Sequence, residues 1–312
     1  MSGAHSHSHG LPSAAAGPAS ARHRRRMLLV LGITLSVVGV QVVGGLLSGS
    51  LALLADAGHM LTDAAGVGIA LLASHIAMRP PTDARSYGWQ RAEILAALAN
   101  ALLLAGIAVW VLVQAAGRWE DPPEVSTGIM LAAAVVGAVA NGASLLLLRG
   151  GQAESLNVRG AYLEVLGDLL GSLAVIVAGV VIVLTGYARA DVIASVVIGL
   201  MILPRAWSLL RDVLDVLLEA TPRGVDMDEV RAHILEVPGV EDVHDLHAWT
   251  ITSGVPVLSA HVVVDDDCLA RGRSGEVLDQ LGACLTGHFD VDHCTFQLEP
   301  VGHREHEPAH HR

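Results

Sequence analysis

Four ionisable side chains stand in two pairs within apolar stretches of the chain. His59 and Asp63 are four residues apart, and so are Glu164 and Asp168. Because four residues span about one helical turn, each pair shares one face if its stretch is helical. Aligning the two segments superimposes His59 on Glu164 and Asp63 on Asp168. The sequence therefore predicts two helices that carry the same chemical device.

Ionised side chains are costly in hydrocarbon and need a partner there. Insertion scales give about 2.5–3.5 kcal/mol for each at mid-membrane, so four unpaired ones would cost on the order of 10 kcal/mol. No arginine stands at a matching depth in the apolar stretches, which removes internal ion pairs as the explanation. A bound cation remains, and N and O donors from two helices suit a tetrahedral divalent metal. Zn²⁺ fits these donors best, with Mn²⁺, Fe²⁺, Co²⁺ and Cd²⁺ as alternatives.

Several polar residues in these stretches are compatible with more than one role. The two pairs themselves would also suit a water-filled cavity, or protonated carboxyl groups that bridge helices. Asp56, nearer the end of its helix, is equally well suited to support the metal ligands or to be hydrated at the membrane surface. Asn100 and Asn141 are predicted to join helices by hydrogen bonds rather than to bind an ion. Close helix contacts are predicted at Gly44, Gly45, Gly66, Gly137 and Gly171.

The composition is that of a membrane protein with a soluble portion. Of 312 residues, 52% are hydrophobic and only 16% are charged. Apolar runs of about 20 residues can cross about 30 Å of hydrocarbon as helices. Six spans are predicted within a transmembrane domain of residues 26–211: Met27–Leu47, Ala55–Met78, Ala92–Ala116, Thr127–Leu148, Ala161–Thr185 and Asp191–Leu210. Three cysteines without CxxC spacing exclude a disulfide-stapled scaffold.

The arginines between the spans predict the orientation. With the amino terminus in the cytoplasm, Arg79, Arg85, Arg91, Arg149, Arg159, Arg205 and Arg211 lie inside. Only Arg118 and Arg189 then lie outside, as the positive-inside rule requires. We therefore predict a multi-pass protein of the cytoplasmic membrane with both termini in the cytoplasm. The formal net charge of −12 argues against nucleic acid as a partner.

Residues 212–300 are predicted to form a small cytosolic α+β domain. The predicted elements are helix Asp226–Glu236, strand Gly239–Thr252, strand Pro256–Asp265, helix Gly275–His288 and strand Val291–Glu299. The order αββαβ indicates a ferredoxin-like fold, an open-faced sheet with both helices on one side. The flanking residues 1–25 and 301–312 contain several histidines without periodicity, and both are predicted to be disordered tails.

At these residues the chain resembles the cation diffusion facilitator family over about residues 25–300. The most specific stretches are Asp56-Ala-Gly-His-Met-Leu-Thr-Asp63, Tyr87-Gly-Trp-Gln-Arg-Ala-Glu93, Gly167-Asp-Leu-Leu-Gly-Ser172, His244-Asp-Leu-His-Ala-Trp249 and Leu258-Ser-Ala-His261. The resemblance implies a homodimeric exporter in the lipid bilayer that exchanges Zn²⁺ or a similar ion for protons. It implies a transporter and no enzyme.

The resemblance also implies two sets of metal ligands. The implied transport site consists of His59, Asp63, Glu164 and Asp168. The implied cytosolic site consists of His244, His261 and Glu299. His247 is a reserve ligand, because two residues three apart on a regular strand point to opposite faces unless a bulge intervenes. The alternative for each cytosolic histidine is an ordinary surface or hydrogen-bonded side chain.

Three features depart from the family pattern. Most zinc-transporting relatives carry His where Glu164 stands, so this site is harder and more negative, and its metal preference is open. Trp89 stands where some relatives carry a His that helps form a peripheral metal site. The loop between the fourth and fifth spans also lacks the His-rich insert of other relatives. Neither accessory metal site is predicted.

Proton coupling follows from the ligands, because a metal needs deprotonated carboxylates and neutral imidazole. Metal binding therefore expels protons, and protonation expels the metal. We predict divalent-metal efflux by proton antiport with alternating access. A membrane-anchored metal sensor is an alternative, although paired motifs deep in two helices serve no purpose in an anchor. An intramembrane metalloenzyme with Glu164 as its base is another, but the chain has no HExxH motif.

Overall fold

The computed structural model of the chain describes residues 18–149, 156–289 and 293–306. Six long helices come first: α1 (Pro18–Ser48), α2 (Leu51–Ala77), α3 (Ala92–Gly117), α4 (Thr127–Leu148), α5 (Leu156–Thr185) and α6 (Arg189–Leu217). A smaller domain follows with α7 (Met227–Leu235), β1 (Val240–Thr250), β2 (Pro256–Val264), α8 (Asp266–Ala270), α9 (Ser274–Phe289) and β3 (His293–Pro300). Contacts divide the chain into two compact units, one comprising the residues up to Ala65 with Leu104–Pro204, the other Gly66–Leu103 with Arg205 onward.

All six predicted spans are confirmed as helices, and each is long and apolar enough to cross a membrane. The helix ends differ from the predicted ones. Helix α1 begins at Pro18 rather than Met27, and α6 continues to Leu217 rather than ending at Leu210. Hydropathy marks where a chain leaves the lipid, whereas a helix continues through arginines that favour helical structure. The predicted boundary of the amino-terminal tail at residue 25 therefore falls inside α1.

The carboxy-terminal tail prediction is also partly wrong. His303–His306 form a short 3₁₀ helix directly after the last strand. The remaining parts of both predicted tails, residues 1–17 and 307–312, lie outside the described residues.

In the first unit, α4 packs against α1 and α5. Its buried residues form one stripe at helical spacing: Met130, Ala133, Ala134, Gly137, Asn141, Ser144 and Leu148. A Cβ atom on Gly137 would lie 2.6 Å from Gln41 Nε2 and 3.0 Å from Ser172 Oγ, so α4 approaches both neighbours closely there. A Cβ atom on Gly171 would overlap Asp56 Oδ1. The close contacts predicted at these two glycines are confirmed.

In the second unit, residues after α6 form the predicted αββαβ domain. The strand order is β1-β2-β3, with β1 antiparallel and β3 parallel to β2, so α9 provides the crossover. The core combines Val230 and Ile234 of α7, Leu281 and Leu285 of α9 and Leu258, Ala260, Val262 and Val264 of β2. Because these β2 residues alternate along the strand, both helices cover one face of the sheet. Helix α8, a single turn capped by Asp265, was not predicted.

A carboxylate from α6 caps the start of α2. Asp191 is 2% exposed and accepts hydrogen bonds from Ser50 Oγ at 2.5 Å, from the Leu51 amide at 2.8 Å and from the Ala52 amide at 3.3 Å. The first amides of a helix lack partners within it, and a negative charge near them is favourable. Asp191 thus fixes the helix that carries His59 and Asp63 to the start of α6.

We expect Asp191→Ala to lower the stability of the protein by about 2 kcal/mol, because buried donors lose their acceptor. Asp191→Asn keeps an acceptor oxygen and should fall between this variant and wild type. Thermal unfolding in detergent measures the effect. Asp121→Ala, on an exposed residue, is the matched control. An equal midpoint for Asp191→Ala and Asp121→Ala would contradict the capping role.

Candidate metal centres

Three of the four predicted transport-site residues meet between α2 and α5. His59, Asp63 and Asp168 each offer a donor atom, and these atoms lie within 4.8 Å of one another. His59 Nε2 and Asp63 Oδ2 are 3.6 Å apart. Asp63 is 8% exposed and Asp168 is 3% exposed, so both carboxylates are held away from solvent. An imidazole and two carboxylates in this arrangement can hold a divalent cation.

Glu164 is half-buried and lies four residues before Asp168 on α5. It is not among the three residues whose donor atoms lie within 4.8 Å. The register of the two helices places it nearby, since Ser172 contacts Asp56 while Asp168 approaches His59 and Asp63. Residue numbers rise along α2 as they fall along α5, so Glu164 stands level with Asp63. Its side chain shares the face of Asp168.

Asp56 lies in a buried polar cluster rather than at a hydrated helix end. It is 1% exposed, and its Oδ2 accepts hydrogen bonds from Gln41 Nε2 at 2.7 Å and from Ser172 Oγ at 2.9 Å. Hydration at the membrane surface is therefore excluded as its role. The cluster ties α1, α2 and α5 together. Sequence reasoning missed Gln41 and Ser172, although Gln41 is the one amide side chain between Met27 and Ser48.

The interhelical hydrogen bonds predicted for Asn141 are absent from the part of the chain that the structure describes. Its side chain is fully buried, and among the described residues neither its amide oxygen nor its amide nitrogen has a hydrogen-bond partner. Within the same ranges the amide oxygen of Asn100 also has none. The type and position of one residue do not show whether a neighbouring helix offers a hydrogen-bond partner. This is why the prediction was wrong for Asn141.

The second predicted set of ligands meets on the sheet of the C-terminal domain. His244, His261 and Glu299 offer donor atoms that lie within 4.8 Å of one another. His261 Nδ1 is 2.8 Å from Glu299 Oε1, and His244 Nε2 is 3.5 Å from Glu299 Oε2. Their side chains are 3% exposed for His244, 2% for Glu299 and 19% for His261. Two imidazoles and a carboxylate suit Zn²⁺.

A β-bulge shapes this cluster. His244 pairs with His261 but His247 pairs with Ser259, so β1 contains one extra residue between them, and Asp245 has a φ of 47°. The bulge foreseen as the condition for His247 to join is therefore present. His247 nevertheless stays outside the cluster. Its side chain is 63% exposed, and its Nε2 lies 2.9 Å from Asp245 Oδ1.

Comparison with known proteins identifies the family. Residues 27–218 match the family model "Cation efflux transmembrane domain", and residues 222–301 match "Cation efflux protein, cytoplasmic domain". The chain belongs to the cation efflux family. These are the cation diffusion facilitators that the sequence resembles. The family consists of metal transporters, so the metalloenzyme alternative is excluded.

Relatives within the cation efflux family match almost the whole chain. The metal cation efflux system protein CzcD of Cupriavidus metallidurans is 44% identical over 299 residues, covering 96% of this chain and 90% of that protein. Zinc transporter ZitB of Escherichia coli is 43% identical, covering 95% and 92%. The cadmium, cobalt and zinc/H(+)-K(+) antiporter of Bacillus subtilis is 36% identical, covering 85% of each. This chain is thus a multi-pass membrane protein of a metal-transporting family.

We expect the two clusters to bind metal independently. His261→Ala should remove one equivalent of Zn²⁺ from the purified full-length protein, and Asp168→Asn should remove a different one, because each variant deletes a donor from only one cluster. Elemental analysis after gel filtration in detergent measures the bound zinc.

His303→Ala, on an exposed histidine, is the control and should retain the wild-type amount. An unchanged zinc content in His261→Ala would show that the cluster on the sheet does not bind zinc.

Proposed function

We propose that this protein exports a divalent metal ion, Zn²⁺ foremost, across the cytoplasmic membrane in exchange for protons. The ion binds to His59, Asp63, Glu164 and Asp168. The observation that carries the proposal is the convergence of His59, Asp63 and Asp168 from α2 and α5, with both carboxylates buried. Transport and efflux by the relatives named above support this direction and cargo.

The charge of this cluster supports a transported ion. Two buried carboxylates beside an imidazole repel one another unless protons or a cation neutralise them. A divalent ion and protons compete for the same oxygen and nitrogen atoms. Proton entry from one side and ion release to that side are therefore linked at the ligands themselves. The name of the Bacillus subtilis relative, an antiporter with H(+), agrees with this coupling.

Glu164 completes the ligand set in this proposal. It stands level with Asp63 on the face of α5 that carries Asp168, and the proposal requires its carboxylate to turn toward the ion. A site of one imidazole and three carboxylates is harder than one with two imidazoles. Such a site accepts Mn²⁺, Fe²⁺ or Co²⁺ more readily. Cd²⁺ is a further candidate cargo, since the name of the Bacillus subtilis relative includes cadmium.

The C-terminal cluster is proposed as a second, resident Zn²⁺ site that regulates transport. His244, His261 and Glu299 supply three donors, and the burial of His244 and Glu299 argues against ordinary surface side chains. We further propose that the protein acts as a homodimer with both termini in the cytoplasm. The metal sensor considered as an alternative is disfavoured, because the family consists of metal transporters.

Transport by purified protein in lipid vesicles tests the proposal. Under an imposed pH gradient we expect wild type to move Zn²⁺ and Asp168→Asn to move none, because the amide is neutral and a weaker metal ligand. Asp279→Asn, on an exposed residue of α9, is the matched control and should transport at the wild-type rate. A wild-type rate in Asp168→Asn would refute the transport site.

The ligand role of Glu164 is tested by Glu164→His. An imidazole in place of a carboxylate makes the site softer, so the transport rate of Mn²⁺ relative to Zn²⁺ should fall severalfold. A panel of Zn²⁺, Cd²⁺, Mn²⁺, Fe²⁺ and Co²⁺, measured in vesicles at one pH gradient, gives these ratios. Identical ratios for wild type and variant would show that Glu164 does not face the ion.

A further inference from the structure

The cluster of Asp56, Gln41 and Ser172 is built from a carboxylate and two neutral partners. Gln41 Nε2 donates to Asp56 Oδ2 at 2.7 Å and to Ser172 Oγ at 3.3 Å, and Ser172 Oγ donates to Asp56 Oδ2 at 2.9 Å. Gln41 and Ser172 are fully buried, and Asp56 is 1% exposed. Gln41 and Ser172 thus both donate to the carboxylate, and this arrangement suits the ionised form of Asp56.

The same cluster also contains the acceptor that a protonated Asp56 requires. Gln41 Oε1 is buried and has no hydrogen-bond partner in the part of the chain that the structure describes. If the amide of Gln41 turns over, Oε1 takes the place of Nε2 and accepts a hydrogen bond from the Asp56 carboxyl group. Ser172 continues to donate to the carboxyl group. The cluster thus offers the Asp56 carboxyl group one hydrogen-bonding arrangement for each protonation state.

The neighbouring helices bring few other titratable groups to this level. Helix α1 has none between Met27 and Ser48, and α4 has none along its length. The nearest on α2 is His59, three residues away, and on α5 it is Asp168, four residues from Ser172. Both belong to the ion cluster, about one helical turn from Asp56. Of the titratable groups on these helices, those of the ion cluster therefore lie nearest to Asp56.

We propose that Asp56 is a proton-binding site separate from the ion ligands. It holds a proton when the ion site is empty and releases it when a divalent cation binds. An empty site contributes negative carboxylates, which disfavour a further negative charge on Asp56, and a bound cation reverses this influence. The proposal rests on the proposed proton antiport and adds a proton to those displaced from the ligands.

Proton release on zinc binding tests the proposal. Zinc chloride is added to the full-length protein in weakly buffered detergent solution, and a pH-indicator dye counts the protons released per protein molecule between about pH 5.5 and 8. The C-terminal cluster contributes equally to every variant and cancels in the difference. At its maximum, Asp56→Asn should release about one proton fewer per protein molecule than wild type. It should bind the same number of zinc ions.

Ser172→Ala provides a second test, because it keeps the carboxylate but removes a donor to its ionised form. Asp56 then holds its proton more tightly, so the same number of protons is released at a higher pH. Ser36→Ala removes an exposed hydroxyl that donates to the Gly32 carbonyl of its own helix, and its profile should match wild type. Infrared spectra should also lose the band of a buried carboxylic acid in Asp56→Asn.

Identical profiles for wild type, Asp56→Asn and Ser172→Ala would overturn the proposal and leave Asp56 a purely structural role. If Asp56→Asn does not fold, an unchanged Ser172→Ala profile overturns it alone. Wild-type protein that releases no proton on binding zinc would instead refute the antiport, so the two failures are distinguishable.

Discussion

The structure depends on the cost of charge in hydrocarbon. Buried acidic side chains inside helices that can cross a membrane need partners, and the protein provides three kinds of arrangement. Asp191 accepts hydrogen bonds from the amides at the start of a helix, and Asp56 accepts them from the side chains of Gln41 and Ser172. Asp63 and Asp168 share a cluster with His59 that a cation can complete. Of these three arrangements, the last is the one that an exchangeable cation can complete.

Much of this arrangement could be predicted from the sequence. Long apolar runs predicted all six helices, because a span needs little more than length and hydrophobicity. The spacing of His59 with Asp63, and the equivalent spacing on α5, predicted which faces meet. In the C-terminal domain, alternating residues and the order of elements predicted the sheet, and the family resemblance implied the cluster of His244, His261 and Glu299.

Other features depend on pairings that a linear pattern does not reveal. The spacing of Asp56 is compatible with a hydrated helix end, and only the proximity of α1 and α5 shows its buried partners. An asparagine in an apolar span, such as Asn141, is typical of an interhelical hydrogen bond. Among the residues that the structure describes, its side chain nevertheless has no hydrogen-bond partner. The bulge at Asp245 changes which residue of β1 stands opposite His261, and no residue type in the strand predicts this bulge. Partners across helices and strands are properties of packing.

The cap on α2 has a consequence for movement. Three donors at the start of α2 are bound to one carboxylate on α6, within the same compact unit. Sliding either helix along its axis by even part of a turn would break all three bonds at once in a place that water does not reach. The first turns of α2 and α6 are therefore joined, and any movement of the transmembrane helices that keeps these hydrogen bonds must move both together.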